Sequence, residues 1–407
     1  MPLNLGFKSL VAVALLSSFG SVAAAGAAES TKDTKNLAPE VTAAEAKLSS
    51  RDIPYLEKAF IDTAPADRKD ALVVGELGAH GGNKDMIVQL AQEIAEGKHG
   101  NFDSLLIAHK GKLLFESYYK RGRIDLPHYQ ASATKAYTSL ALGRAIQMGY
   151  LTMADLDKPL VSFRKDLDPA KFVEGAEKIT LQQALTMSTG LRISREQREE
   201  FEKNPGPLKD QSLVQTIFEH SAPITAESQG FSYGTGPGLV MQIIDDAVPG
   251  TAADFIKNEL LGKLGITNYS WRTHYSGLPE SGWRTSITSR DMLKLGTLAM
   301  NKGKWNGEQL VPAAFIAKAT NRILYTGDDD PFGGGKDVSN YGYGYFWWSA
   351  DLKYGNKSYF SASAQGGHGQ FIILIEELDL MVVTTAHDRE PSTLQITAER
   401  IVPAFIK

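Results

Sequence analysis

Ala136, Leu140, Ala141, Ala145 and Met148 recur at steps of three and four residues, the period of an amphipathic helix. Gly149 stands where such a helix stops. The helix therefore opens near Ser132, in the run His128-Tyr129-Gln130-Ala131-Ser132-Ala133-Thr134-Lys135. Ahead of it, Leu105–Ala108 and Leu113–Phe115 flank Lys110-Gly111 and predict a hairpin over Asp103–Tyr119. Helical patterns follow from Thr180, a candidate N-cap, and then over Leu213–His220, Leu239–Ile244, Ala252–Leu261, Ser289–Met300 and Ala313–Thr320. The pattern returns to strands at Tyr359–Ser363, Phe371–Ile375 and Met381–Thr385, with a closing helix over Leu394–Ile406. Strands, a long helical middle, strands and a last helix predict an α+β fold. Its antiparallel sheet is built from N- and C-terminal strands flanked by helices, with a mainly helical middle region.

Four other stretches fit less regular expectations. Ile53–Phe60 and Met86–Ile94 read as helices within a 51–100 segment of unknown role, joined by a turn around Gly78–Asn83. Residues 325–340, with Gly327-Asp328-Asp329-Asp330-Pro331, read as a surface loop. Tyr341, Tyr343, Trp347 and Trp348 are candidates for a pocket wall, some in the core and some at the rim; a regular strand would put Tyr341 and Tyr343 on one side. Residues 26–50 are polar and without period, as in a linker.

Residues 1–25 read as a signal peptide: Lys8, an apolar stretch from Leu10 to Phe19, and Ala23-Ala24-Ala25 at the cleavage position. The apolar stretch is short for a transmembrane helix. A periplasmic or secreted protein, with no stable membrane insertion after signal removal, is the resulting expectation. The net charge of −4, with basic residues spread out, argues against a nucleic-acid partner. The chain has no cysteine, which removes disulfides, thiolate nucleophiles and zinc–thiolate sites. Oligomeric state is not encoded in any feature of the sequence.

The chemistry centres on Ser132 and Lys135. Residues three apart on a helix are neighbours. A serine hydroxyl needs a base, and a lysine becomes one when burial disfavours its ammonium. Two further Ser-x-x-Lys runs, Ser117–Lys120 and Ser162–Lys165, lack an apolar helix behind them. Tyr233, in Phe231-Ser232-Tyr233-Gly234-Thr235-Gly236-Pro237-Gly238, is a candidate proton relay before a helix. Gln365-Gly366-Gly367-His368-Gly369-Gln370 precedes an apolar strand and offers a free backbone N–H and one histidine to a substrate. No Gly-x-Ser-x-Gly elbow, His-Glu-x-x-His, P-loop or dinucleotide fingerprint is present.

Together, Ser132–Lys135, then Tyr233-Gly234-Thr235, then Gly366-Gly367-His368-Gly369-Gln370 resemble, in order, the three motifs of the serine β-lactamase-like hydrolases. Ile179–Leu191 and Tyr341-Gly342-Tyr343-Gly344-Tyr345 also look like that superfamily, and the likeness spans 101–407. The resemblance implies a nucleophile at Ser132, acid–base work by Lys135 and Tyr233, and an oxyanion hole from the N–H groups of Ser132 and Gly367. Thr235 and His368 would then contact substrate. No metal or cofactor is implied. Thr235 replaces an asparagine, and the third motif lacks Lys-Thr-Gly. These departures favour a small-molecule esterase or amidase, near family VIII esterases and nylon-oligomer hydrolases. A D-Ala-D-Ala carboxypeptidase, a β-lactamase and a non-catalytic binding module on the same fold are the alternatives.

Overall fold

The computed structural model describes residues 37–205, 212–327, 334–388 and 392–406. The signal-peptide reading at 1–25 lies outside them, as do residues 26–36 of the linker reading. Ala38–Lys407 make one compact unit.

The strands are β1 (Phe60–Asp62), β2 (Phe102–His109), β3 (Lys112–Tyr118), β4 (His128–Tyr129), β5 (Tyr269–Trp271), β6 (Thr285–Ile287), β7 (Lys304–Trp305) and β8 (Glu308–Gln309). They continue as β9 (Leu324–Gly327), β10 (Val338–Tyr343), β11 (Trp348–Tyr354), β12 (Lys357–Gly366), β13 (Gln370–Ile375) and β14 (Leu380–Ala386). Among the described residues nine of them form one sheet in the order β1-β3-β2-β14-β13-β12-β11-β10-β9. Every neighbouring pair is antiparallel. As expected, the sheet joins both ends of the chain: Leu106 of β2 pairs with Val383 of β14.

The central strands are covered on both faces, so they are apolar throughout rather than alternating with polar residues. Period two still sorts them. Ile372, Leu374, Met381 and Val383 enter one core, and Phe371, Ile373, Ile375, Leu380 and Val382 enter the other. The second core is closed by α1 (Lys84–Ala95), capped by the Asn83 side chain, and by the C-terminal helix Thr393–Phe405. The first core holds α2 (Thr134–Gln147), the middle helices α3 (Leu181–Leu185), α4 (Arg195–Lys203), α5 (Leu213–His220), α6 (Gly236–Ala247) and α7 (Ala252–Phe255), then α8 (Ser289–Met300) and α9 (Ala313–Ala319). Helix α8 lies close on the sheet: a Cβ on Gly296 would meet Met381 Sδ at 2.3 Å. Among the described residues no helix is long and apolar enough to cross a membrane.

Three local expectations fail for identifiable reasons. Ile53–Phe60 is not helical. Pro54 disfavours helical backbone at Ile53, and Phe60 starts the edge strand β1 instead. The 325–340 surface loop is shorter than expected. Its ends belong to β9 and β10, which pair with each other, and 328–333 lie outside the described residues. Tyr341 and Tyr343 do not share a side: Tyr341 packs in the second core and Tyr343 in the first. The register slips between Tyr341 and Gly342, and such a bulge breaks the alternation.

Candidate active site

Helix α2 is led in by a 3₁₀ turn, Ala131–Ala133, which carries Ser132 at its centre. Ala131 has φ of +46°, a left-handed backbone that L-residues rarely adopt. Strain of this kind persists where its surroundings over-determine it. Here Gln130 does so. Its N–H donates to Thr285 O at 2.8 Å, its side-chain NH₂ to His128 O at 2.7 Å, and its side-chain carbonyl accepts from Tyr137 Oη at 2.7 Å. The pairing of β4 with β6 completes the frame.

Lys135 projects from the first turn of α2 and is 7% exposed. Its Nζ lies 3.1 Å from Ser132 Oγ and donates to Gly282 O at 2.7 Å. One turn on, Thr138 Oγ1 donates to Ser281 O at 3.1 Å, so α2 fixes both carbonyls of the 281–282 loop. Burial brings the Lys135 ammonium down to about 7, and the Glu280 charge acts to raise it. Glu280 also accepts from Gly282 N at 3.0 Å, which ties the loop that holds the amine.

Tyr233 precedes α6 and stands over the same spot, with Lys135 Nζ 4.6 Å from its ring centroid. It stacks on Trp348 at 5.5 Å and meets Tyr343 edge-on at 6.1 Å. Desolvation pushes its phenol up to about 12, against a hydrogen bond with Ser132 that acts to lower it. The phenol is thus protonated at neutral pH. Of the four aromatics expected at a pocket wall, Tyr343 and Trp348 are buried against Tyr233, Trp347 is in the first core, and Tyr341 lies on the other face of the sheet.

The β12–β13 hairpin brings up the third piece. A Cβ on Gly366 would fall 2.1 Å from Gln130 O and 3.2 Å from Ala133 N, so the hairpin rests directly on the residues flanking Ser132. Gly367 follows at its tip. His368, at φ of +72°, turns away from Lys135: its Nδ1 is 3.0 Å from Asp388 O. Thr235 is the residue before α6, and it lines a cavity of about 280 Å³ that starts at Lys135 and runs past Leu213, Ile217, Met241 and Leu278. The other Ser-x-x-Lys runs are structural. Ser117 Oγ donates to Leu105 O at 2.9 Å and Ser162 Oγ to Pro159 O at 2.7 Å.

Sequence reading missed Gly282, Glu280 and Trp283, which lie in a stretch with no periodic pattern. The available signal was Gly277, Pro279 and Gly282 interleaved with aromatics, the composition of a shaped loop. Among the described residues no group of three acidic or histidine side chains converges as a metal site.

This fold, with a serine and a buried lysine on the first turn of a helix beside the sheet, defines a class of serine hydrolases. The profile of the Beta-lactamase family matches residues 89–404, and the chain belongs to that family. It is a serine hydrolase related to the β-lactamases. No curated protein matches the chain. Solved structures share the fold. A penicillin-binding protein homolog from Caulobacter crescentus is 14% identical, with TM-score 0.58, over 85% of this chain and 100% of that one. EstCE1, a hydrolase with promiscuous acyltransferase activity, is 14% identical with TM-score 0.56, over 79% and 97%. A class C β-lactamase is 14% identical with TM-score 0.55, over 80% and 96%.

Proposed function

We propose that the chain is an exported hydrolase that cleaves a small-molecule ester or amide through an acyl-enzyme on Ser132. The observation that carries this is the 3.1 Å approach of a desolvated Lys135 amine to the Ser132 hydroxyl. With a pKa near 7, a large share of Lys135 is the free amine at neutral pH. One N–H then donates to Gly282 O while the lone pair faces Ser132. Ser132 Oγ bonds to the carbonyl carbon as its proton passes to Lys135. The oxyanion is received by the N–H groups of Ser132 and Gly367. Helix-start N–H groups lack intrahelical partners, which suits them to this task. Tyr233, protonated, gives its proton to the leaving oxygen or nitrogen and is reprotonated from Lys135. Water then attacks the acyl carbon through the same groups in reverse and frees the acid.

The β12 strand carries Ala364 and Gln365, not a lysine, ahead of Gly366, and Thr235 offers a hydroxyl in place of an amide. Both features favour simple esters or amides over β-lactams, and the neighbouring EstCE1 fold is that of a hydrolase. Export rests on the reading of residues 1–25.

Intact-mass spectrometry after incubation with a fluorophosphonate and with p-nitrophenyl butyrate tests the proposal. Wild type gains one adduct and turns over the ester, and Ser132→Ala does neither. A wild type that stays unlabelled points to the binding-module alternative; catalytic turnover of a penicillin points to the β-lactamase one, and a single stable penicillin adduct to the carboxypeptidase. The acid limb of kcat/KM should rise through about pH 7 as Lys135 loses its proton. Because Glu280 favours the ammonium, Glu280→Gln should move that limb to lower pH. An unmoved limb would detach the titration from Lys135.

A further inference from the structure

A second recess, of about 690 Å³, shares the Trp283 wall with the apolar cavity. Its walls are cationic. Arg51, Arg121, Arg272 and Arg284 all line it, although they come from separate stretches of a chain whose net charge is −4. Among the described residues none of the four makes an ion pair, and Arg121 Nε is buried without a hydrogen-bond partner. The charges of Arg284, Arg272 and Arg51 all reach the phenol of Tyr129 in the same wall, against the opposing charge of Glu280.

The one acid in the wall, Asp103, is fully buried and already engaged. Its Oδ2 accepts from His128 Nε2 and from His387 Nδ1, both at 2.9 Å, and its Oδ1 accepts from Arg121 N at 3.0 Å. It therefore holds two histidines in place and makes no side-chain ion pair with the arginines. Guanidinium groups without ion pairs, gathered in one recess, suit a carboxylate or phosphate, because the planar fork matches those oxyanions.

The recess also adjoins the proposed chemistry. Tyr129 lies three residues before Ser132, Trp283 follows Gly282, and His368 follows Gly367; Trp283 lines both the recess and the apolar cavity. Resting on the acyl-enzyme reading, we infer that the substrate is amphiphilic. An apolar group fills the cavity past Lys135, an oxyanion-bearing group is held by Arg272 and Arg284 with Arg51 beside them, and the scissile ester or amide lies between them.

Three esters test this: p-nitrophenyl butyrate is neutral, mono-p-nitrophenyl glutarate carries its anion on the acyl side, and 4-butyryloxybenzoate carries it on the leaving group. Wild type should favour one anionic ester over the neutral one by about tenfold or more in kcat/KM, through KM, with the preference shrinking as salt rises. In Arg272→Gln/Arg284→Gln the ratio of anionic to neutral kcat/KM, read within one preparation, should fall by about tenfold. Absence of any anionic preference, or a preference that survives the double substitution, overturns the inference. If wild type turns over none of the esters, the hydrolase reading fails, and the recess is judged by calorimetry with glutarate and with inorganic phosphate. Binding of either, lost in the double variant, supports the recess and tells carboxylate from phosphate. Binding of neither overturns it.

Discussion

Lys135→Met should abolish hydrolysis and yet make the protein harder to unfold. The loss follows from the proposed chemistry: without the amine, the neighbour left to Ser132 is the Tyr233 phenol, which is already protonated, and kcat/KM should drop by about 10³-fold or more. The gain follows from the burial. An ammonium whose pKa is held at about 7 instead of 10.5 is a charge the fold disfavours. Each pKa unit corresponds to about 1.4 kcal/mol. At pH 6 that is about 5 kcal/mol; the lost contact to Gly282 O takes back about 1–2 kcal/mol, leaving a net gain of about 3 kcal/mol. The sign also fixes the pH course. Between pH 7 and 10.5 the unfolded chain binds the proton that the folded one has lost, so wild-type stability rises with pH across that window. The advantage of Lys135→Met should therefore be largest at pH 6 and shrink by pH 9.5. Thermal unfolding at both pH values reads this, and a destabilised variant at pH 6 contradicts the buried-amine account.

Gly366→Val should be damaging on both counts. A Cβ there would stand 2.1 Å from Gln130 O, and Gln130 cannot yield because three hydrogen bonds hold it. The hairpin must lift instead, which costs about 1–3 kcal/mol and moves the Gly367 amide. Displacements near 1 Å at a reacting centre cost about 10²-fold in rate. A fall in melting temperature together with a loss of about 10²-fold in kcat/KM is expected. A variant with wild-type turnover would mean that Gly367 plays no part in holding the oxyanion.

The parts of this protein that could be read in its sequence are those set by local period. The three-residue spacing of Ser132 and Lys135 on an apolar-backed helix, the Lys110-Gly111 hairpin and the α+β order of elements depend on neighbours within a turn or two, and the structure keeps them. What was hidden depends on distant partners. The left-handed Ala131 is set by contacts to Thr285 and Tyr137. Gly282 matters through its carbonyl, which no side-chain pattern marks. The bulge that separates Tyr341 from Tyr343 is a matter of register with β9. Arg51, Arg121, Arg272 and Arg284 are each unremarkable where they stand in the chain, and only the fold gathers them.

The pairing of β2 with β14 has a consequence for how the molecule is made. Two adjacent strands in the middle of the sheet come from opposite ends of the polypeptide, with Leu106 set against Val383. Such distant partners are slow to find one another, and they cannot meet until the ribosome has delivered nearly the whole chain. The growing polypeptide thus has no route to a finished centre until both strands have been made.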